Sequence, residues 1–214
     1  EGQPAPQTTD PNAARRLATD FNSVPVWNRG EAAPTNEPAV HYQTPYVLNT
    51  VDADPSASGI KRLTIAEGRL YAGQTVRQAV GNRPFVGKGT PEQMHVIAQA
   101  IVDNAHDGQT PATIQAYAES GATRTASRRN GKWGVDCSGF TSQLMHEMEG
   151  NGREGYQSTN AASYAHNGSR NYNPVNPSET RTGDVIQFTD TRHVVVIHQR
   201  TEVNLPRAGG GAET

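Results

Sequence analysis

Two side chains in this chain have the types needed for nucleophilic catalysis. They are the single cysteine, Cys137, and a later histidine, His193. Cys137 precedes a segment with helical periodicity, and a cysteine at a helix start faces backbone N–H groups and the positive end of the dipole, which favours the thiolate. His193 opens the strand-like run Val194–Ile197. A cysteine on a helix start and a histidine on a strand can act as nucleophile and general base.

A lone cysteine is more often a small buried core residue than a catalyst, and three neighbours favour the second interpretation here. Asp136 and Ser138 are helix-capping types, so the turn before the helix is polar. Gly139 allows another chain or a substrate to approach the backbone closely. We therefore expect the sulfur to lie where the helix meets solvent.

His193 taken alone could equally be an ordinary histidine at a strand end. It is a better candidate base than the others because its strand is expected to be buried, which would hold the imidazole still. His198 lies on the opposite face of the same strand by alternation. His146 lies on the cysteine's helix, about 13 Å further along, too far to take the thiol proton.

The elements around these residues predict an α+β fold. Thr90 as N-cap and Pro91 at the first position begin a helix that ends near His106. A short helix is predicted over Pro111–Ala118. Further segments are a helix over 137–148, a long loop over 151–181 with one helical turn at 158–166, and strands over 185–188 and 193–199 joined by a turn at 190–191.

The chain divides into three parts by composition. Residues 1–88 are predicted to be a Pro/Gly-rich N-terminal extension or a small β-rich subdomain. It has a helix over Pro11–Phe21 capped by Asp10. Strand-like pieces are predicted at 46–48, 61–65 and 68–71. Residues 89–205 are the predicted catalytic domain, and 206–214 a flexible tail.

Composition excludes several classes of function. Of 214 residues only 34% are hydrophobic, with 21 glycines and 14 prolines, which predicts much loop. A net charge of −2 gives no electrostatic case for binding nucleic acid or an anionic membrane, and no apolar run is long enough to span a bilayer. The scattered histidines lack metal-ligand spacing, so no metal or cofactor is expected. Without an initiator Met or a signal-peptide pattern, the chain is expected to be a processed or trimmed product.

Three ordered segments give a more specific indication. Residues 136–140 (Asp-Cys-Ser-Gly-Phe), 183–188 (Gly-Asp-Val-Ile-Gln-Phe) and 193–197 (His-Val-Val-Val-Ile) resemble the NlpC/P60 family of papain-like cysteine peptidases. Ser158 and Thr159 also resemble the family's segment before the second of these. The similarity covers roughly residues 90–205. It implies a papain-like core in which helices pack on an antiparallel sheet.

The resemblance also implies an activity, the hydrolysis of amide bonds in peptidoglycan stem peptides, often beside D-γ-glutamyl and diamino-acid residues. Cys137 would attack the carbonyl, His193 would serve as base and then acid, and the Cys137 N–H would steady the oxyanion. Asn204 is the first choice for the residue that orients the histidine, with Glu202 and His198 as alternatives. Neither Asn204 nor Glu202 has the spacing expected of a tight hairpin, and His198 is the weaker alternative.

Further residues are expected to bind substrate. Asp136 and Ser138 flank the nucleophile. The family's Tyr-x-x-Gly-Gly-like segment is replaced here by an Arg-rich loop over 121–131, and Tyr117 or Trp133 is expected to take over its substrate-lining role.

Two other functions are compatible with the same residues. An acyltransferase or amidotransferase could use the same thioester intermediate, and a non-catalytic wall-binding module could keep the fold. A wall remodeller, a phage lysin and an antibacterial effector toxin, the last with an immunity or inhibitor protein as partner, all fit. In each case the expected partner is peptidoglycan, and the site of action is secreted, in the cell wall or periplasm.

Overall fold

A computed structural model describes residues 12–31, 37–47, 76–120, 123–125, 128–129, 131–148, 175–181, 184–188 and 193–197. Within these ranges the fold is α+β, as predicted. The α-helices are α1 (Ala13–Asn22), α2 (Val76–Val80), α3 (Pro91–Asp103), α4 (Ile114–Glu119) and α5 (Cys137–Met148). The strands are β1 (Val24–Val26), β2 (Val40–Tyr42), β3 (Thr123–Thr125), β4 (Arg128–Arg129), β5 (Val185–Phe188) and β6 (His193–Val196).

The start of α3 confirms the predicted capping pattern. The Thr90 hydroxyl accepts a hydrogen bond from the Gln93 N–H, and the Gln93 side chain accepts one from the Thr90 N–H, with Pro91 at the first position. The helix ends at Asp103, earlier than predicted, because the chain then enters a 3₁₀ turn over His106–Gly108.

Two other predicted helices differ from the structure in detail. The helix predicted over Pro111–Ala118 begins as a 3₁₀ turn, Pro111–Thr113, before continuing as α4. α1 begins at Ala13 after Asn12, which makes no side-chain capping bond. The predicted cap Asp10 and the predicted first helical residue, Pro11, lie outside the described residues.

The strands of the described part form three separate antiparallel pairs: β1 with β2, β3 with β4, and β5 with β6. In the last pair Val185 is opposite Val196 and Phe188 is opposite His193. β6 ends at Val196, before the predicted end at 199. The predicted turn at 190–191, the strands at 61–65 and 68–71, and the helical turn at 158–166 lie outside the described residues.

The core lies between α3, α5 and the elements that pack on them. α3 packs against β1 and α2, while α5 packs against β6 and α1. Leu17 of α1 and Val24 of β1 are buried in the same cluster as Met94 and Ile97 of α3 and Leu144 of α5. α1 and β1 therefore share one core with the helix that carries Cys137.

Among the described residues, no helix is both long and apolar enough to cross a membrane.

Candidate functional site

The approach to α5 is held between two segments that are distant in sequence. On one side the Val47 N–H donates to the Val135 carbonyl (3.2 Å), and the Val135 N–H donates to the Pro45 carbonyl (3.1 Å). On the other side Lys88 forms an antiparallel bridge with Val135. These backbone contacts fix the chain immediately before Cys137.

Cys137 is the first residue of α5 and is partly exposed. The carboxylate of Asp136 accepts a hydrogen bond from the Gly139 N–H (2.6 Å), which satisfies one of the free donors in the first helical turn. The Asp136 N–H in turn donates to the Gly87 carbonyl (2.7 Å). The sulfur therefore lies at a capped helix start, as predicted from the flanking residue types.

Gly139 is required by a close approach between segments. A Cβ at this position would overlap the carbonyl oxygen of Gly87. Gly87 itself has a left-handed backbone (φ 74°), which costs a non-glycine residue energy, and its position is also crowded by Asp136. The partner that approaches Gly139 is thus another segment of the same chain.

A buried charged cluster lies next to Cys137. The Lys88 ammonium is 2.6 Å from one Asp136 carboxylate oxygen and 2.8 Å from the other, and it also donates to the Ser138 hydroxyl. The Ser138 hydroxyl donates to Asp136 (3.0 Å). All three residues are at most 5% exposed. Asp136 and Ser138, predicted to bind substrate, therefore lie beneath the surface and support the helix start.

The hydroxyl of Tyr46 contacts both the side chain and the backbone of Cys137. Burial raises the pKa of Tyr46 well above its usual value, and the negative charge of Cys137 raises it further. The raised pKa favours the neutral phenol, which can donate a hydrogen bond to the sulfur. Its side chain remains 48% exposed, so it is accessible to a bound molecule.

Trp133 and Tyr117 form an aromatic pair in which Trp133 is buried and Tyr117 is partly exposed. Trp133 is fully buried, and its indole N–H donates to the hydroxyl of Tyr42 (3.0 Å). The Tyr117 ring packs against Trp133 at a centroid distance of 6.2 Å, and its hydroxyl donates to Asp107 (2.7 Å). The structure thus places Trp133 in the core, where it has no surface to offer a substrate.

His193 is the first residue of β6, the strand that packs on α5. Its ring lies against Phe188, its cross-strand partner, at a centroid distance of 6.2 Å. Side chains alternate along a strand, so Val194 and Val196 share the other face. Val194 is buried, and Val196 lines a cleft of about 480 Å³ together with Phe140 of α5. The structure therefore brings the strand of His193 to α5, with the imidazole on the face shared with Phe188.

Asn204, predicted to orient the histidine, lies outside the described residues, as do its alternatives Glu202 and His198. The structure adds two residues that the sequence did not indicate, Tyr46 and Lys88. In the sequence, Tyr46 belongs to a short strand-like segment with no sign of a catalytic role. Lys88 is one of 19 lysines and arginines, and nothing in the sequence distinguishes it from the others. Their positions depend on the backbone pairing with Val135, which has no local signal.

Within the described ranges, no group of three or more His, Cys, Asp or Glu side chains could hold a metal ion. In comparisons with known proteins, no family model matches the chain, and no curated protein or solved structure matches it. The case for function therefore depends on the residues themselves.

Proposed function

We propose that this protein is a cysteine-dependent amidohydrolase that acts on peptidoglycan stem peptides and has a papain-like core. The observation that carries the proposal is the position of Cys137, partly exposed at a capped helix start with the Tyr46 hydroxyl on its thiol. Helix N-termini and hydrogen-bond donors both favour a thiolate. The order of the segments at 136–140, 183–188 and 193–197 supports the papain-like assignment and the substrate class.

The reaction would proceed in two steps. The Cys137 thiolate attacks the amide carbonyl, the carbon–nitrogen bond breaks, and the amine leaves with a proton from the His193 imidazolium. Water, deprotonated by the same imidazole, then attacks the thioester and releases the carboxylate product and the thiolate. The Cys137 N–H donates to the Tyr46 oxygen in the structure, and a bound oxyanion would replace that oxygen as its acceptor while the Tyr46 hydroxyl beside it donates to the same oxyanion.

This mechanism requires a movement of His193 that a side-chain rotation alone does not supply, because strand alternation places its ring beside Phe188, on the face of β6 opposite the buried Val194. The backbone at the start of β6 must therefore rotate together with the imidazole to bring the ring toward α5. β6 packs directly on α5, so the strand is already close to the helix that carries the nucleophile. The residue that orients the rotated ring would be Asn204, or alternatively Glu202 or His198.

The substrate class sets the site of action in the cell wall or periplasm. A wall remodeller, a phage lysin and an antibacterial effector would all use this chemistry there. An amine that intercepts the thioester in place of water would make the same site an acyltransferase.

The packing of His193 against Phe188 favours one alternative, a non-catalytic module that binds wall fragments unchanged. Digestion of purified peptidoglycan with the wild type and with Cys137→Ala, followed by mass spectrometry of the products, separates the two. The hydrolase releases new amine and carboxylate ends that the variant does not. If the wild type releases none and retains intact fragments, the hydrolase proposal is wrong and the binding module is supported.

A further inference from the structure

Lys88 has no role in the chemistry outlined above, yet its ammonium is buried beside the nucleophile. We propose that Lys88 is a positioning residue for Cys137: it compensates the charge of Asp136 and holds the first turn of α5 in the arrangement that keeps the thiolate reactive. The inference rests on the proposed role of Cys137 as a nucleophile. It concerns how this chain maintains that nucleophile, whatever its substrate.

A buried negative charge lies next to the nucleophile. Asp136 immediately precedes Cys137 and is 5% exposed, so water screens its carboxylate poorly. An uncompensated carboxylate there would oppose a second negative charge on the neighbouring sulfur. Lys88 lies within 2.8 Å of both carboxylate oxygens and removes that repulsion.

The Asp136 carboxylate also holds the first turn of α5 through its hydrogen bonds. The same Asp136 oxygen that is 2.6 Å from the Lys88 ammonium also accepts the Gly139 N–H (2.6 Å) and the Ser138 hydroxyl (3.0 Å). Lys88 donates to Ser138 as well, so it touches both residues that flank Cys137. The orientation of the cap therefore depends on the position of the ammonium.

The lysine and serine do not form a catalytic pair of their own. Ser138 is 3% exposed and Lys88 is 4% exposed, so a substrate reaches neither. The ammonium is paired with the Asp136 carboxylate. Lys88 thus acts through Cys137 and does not touch the reacting atoms.

Other charged or titratable groups around α5 are arranged differently. Tyr46 contacts the thiol directly, and β6 carries His193. α1 contributes Arg16, which pairs with Glu147 near the other end of α5 (3.2 Å). In the described part of the chain, Lys88 is the cation that contacts the carboxylate next to the nucleophile.

The test measures the rate of iodoacetamide alkylation of Cys137 as a function of pH in four full-length variants. Lys88→Met should raise the pH of half-maximal rate by about one unit, because a buried carboxylate is left unopposed. Asp136→Asn should lower it, and the double variant Lys88→Met/Asp136→Asn should return close to the wild type. Arg16→Met, which removes a cation from the far end of the helix, should leave it unchanged.

A purely structural role for Lys88 would lower stability without shifts of opposite sign, so an unchanged midpoint in folded Lys88→Met overturns the proposal. If Lys88→Met does not fold, Asp136→Asn decides alone: a lower midpoint supports the proposal, and an unchanged or higher one overturns it. Alkylation needs no substrate. A failure to cleave peptidoglycan therefore counts against the proposed function and leaves this result standing.

Discussion

The Tyr46 hydroxyl contacts the Cys137 thiol across a long separation in sequence, and backbone pairing with Val135 holds the two in place. Tyr46 forms a parallel bridge to Val135, so its position is set by the strand-like segment that leads into α5. A neutral phenol at this point can donate first to the thiolate and then to the oxyanion. The contact links a residue outside the predicted catalytic domain to the nucleophile.

Replacing Tyr46 with phenylalanine removes that donor and keeps the ring. We expect kcat for peptidoglycan cleavage to fall by about 10²-fold, which is typical for loss of one oxyanion donor. The melting temperature should hardly change, because about half of the side chain is exposed. Thr19→Val, which deletes a hydroxyl on α1 bonded only to its own helix, serves as the control. An unchanged kcat in Tyr46→Phe would show that the hydroxyl has no catalytic part.

Gly139→Ala should lower both stability and the reactivity of Cys137. The new Cβ overlaps the Gly87 carbonyl, so the loop before α3 must shift, at a cost of about 1–3 kcal/mol. Gly81→Ala is the control: Gly81 has a positive φ (68°), so alanine strains the backbone there, but nothing lies within 4 Å of the new Cβ and the site is remote from Cys137 in sequence. Urea unfolding and iodoacetamide alkylation measure the two effects. Equal alkylation rates for both variants would contradict a link between this contact and the nucleophile.

His193→Gln tests the general base. We expect kcat to fall by about 10²–10⁴-fold, the usual contribution of general acid–base catalysis. The fold should be retained, because the ring packs against the half-exposed Phe188, on the face of β6 opposite the buried Val194. Cleavage assays with Asn204→Ala, Glu202→Ala and His198→Ala then identify the orienting residue. Full activity in His193→Gln would assign the base to another group.

Stability at alkaline pH should depend on Tyr42. Burial raises the pKa of this tyrosine, and the bond from Trp133 offsets only part of the effect. The folded state therefore favours the protonated phenol, so this contribution is intact below the unfolded pKa of about 10 and is lost as pH rises above it. Urea titrations on either side of that pH should show a falling free energy of unfolding.

Tyr42→Phe provides the control for that dependence. The variant should lose about 1–3 kcal/mol at neutral pH, because the buried Trp133 N–H loses its acceptor. Its stability should then fall less steeply above the unfolded pKa. Some slope should persist, since burial also raises the pKa of Tyr46 and Tyr117. A slope identical to that of the wild type would contradict the role of Tyr42.

The predictions from sequence succeeded where the information is local. The capping pair Thr90 and Gln93 fixes the start of α3, and the polar turn around Asp136 fixes the start of α5. The face of β6 could not be predicted, because a run of three valines after His193 has no alternation from which to read a face. Only packing against α5 selects Val194 as a buried residue.

The residues that support the nucleophile depend on contacts between distant segments. Lys88 and Tyr46 reach the helix start through separate pairings with Val135, which composition and spacing do not encode. The same holds for Trp133, which is expected from the sequence to line the substrate site in place of the family's Tyr-x-x-Gly-Gly-like segment: its hydrogen-bond partner Tyr42 comes from a strand far earlier in the chain. Such long-range pairs become visible only in the folded structure.

The central claim, that Cys137 is an activated nucleophile, is tested most directly by its alkylation rate with iodoacetamide at about pH 6, below the range in which an ordinary cysteine ionises. N-acetylcysteine serves as the reference thiol, and intact-protein mass spectrometry counts the modification at this single cysteine. The account predicts that Cys137 reacts at least about tenfold faster than the reference, as expected for a thiolate favoured by a helix start and a neighbouring donor. A rate equal to or below that of N-acetylcysteine would contradict it.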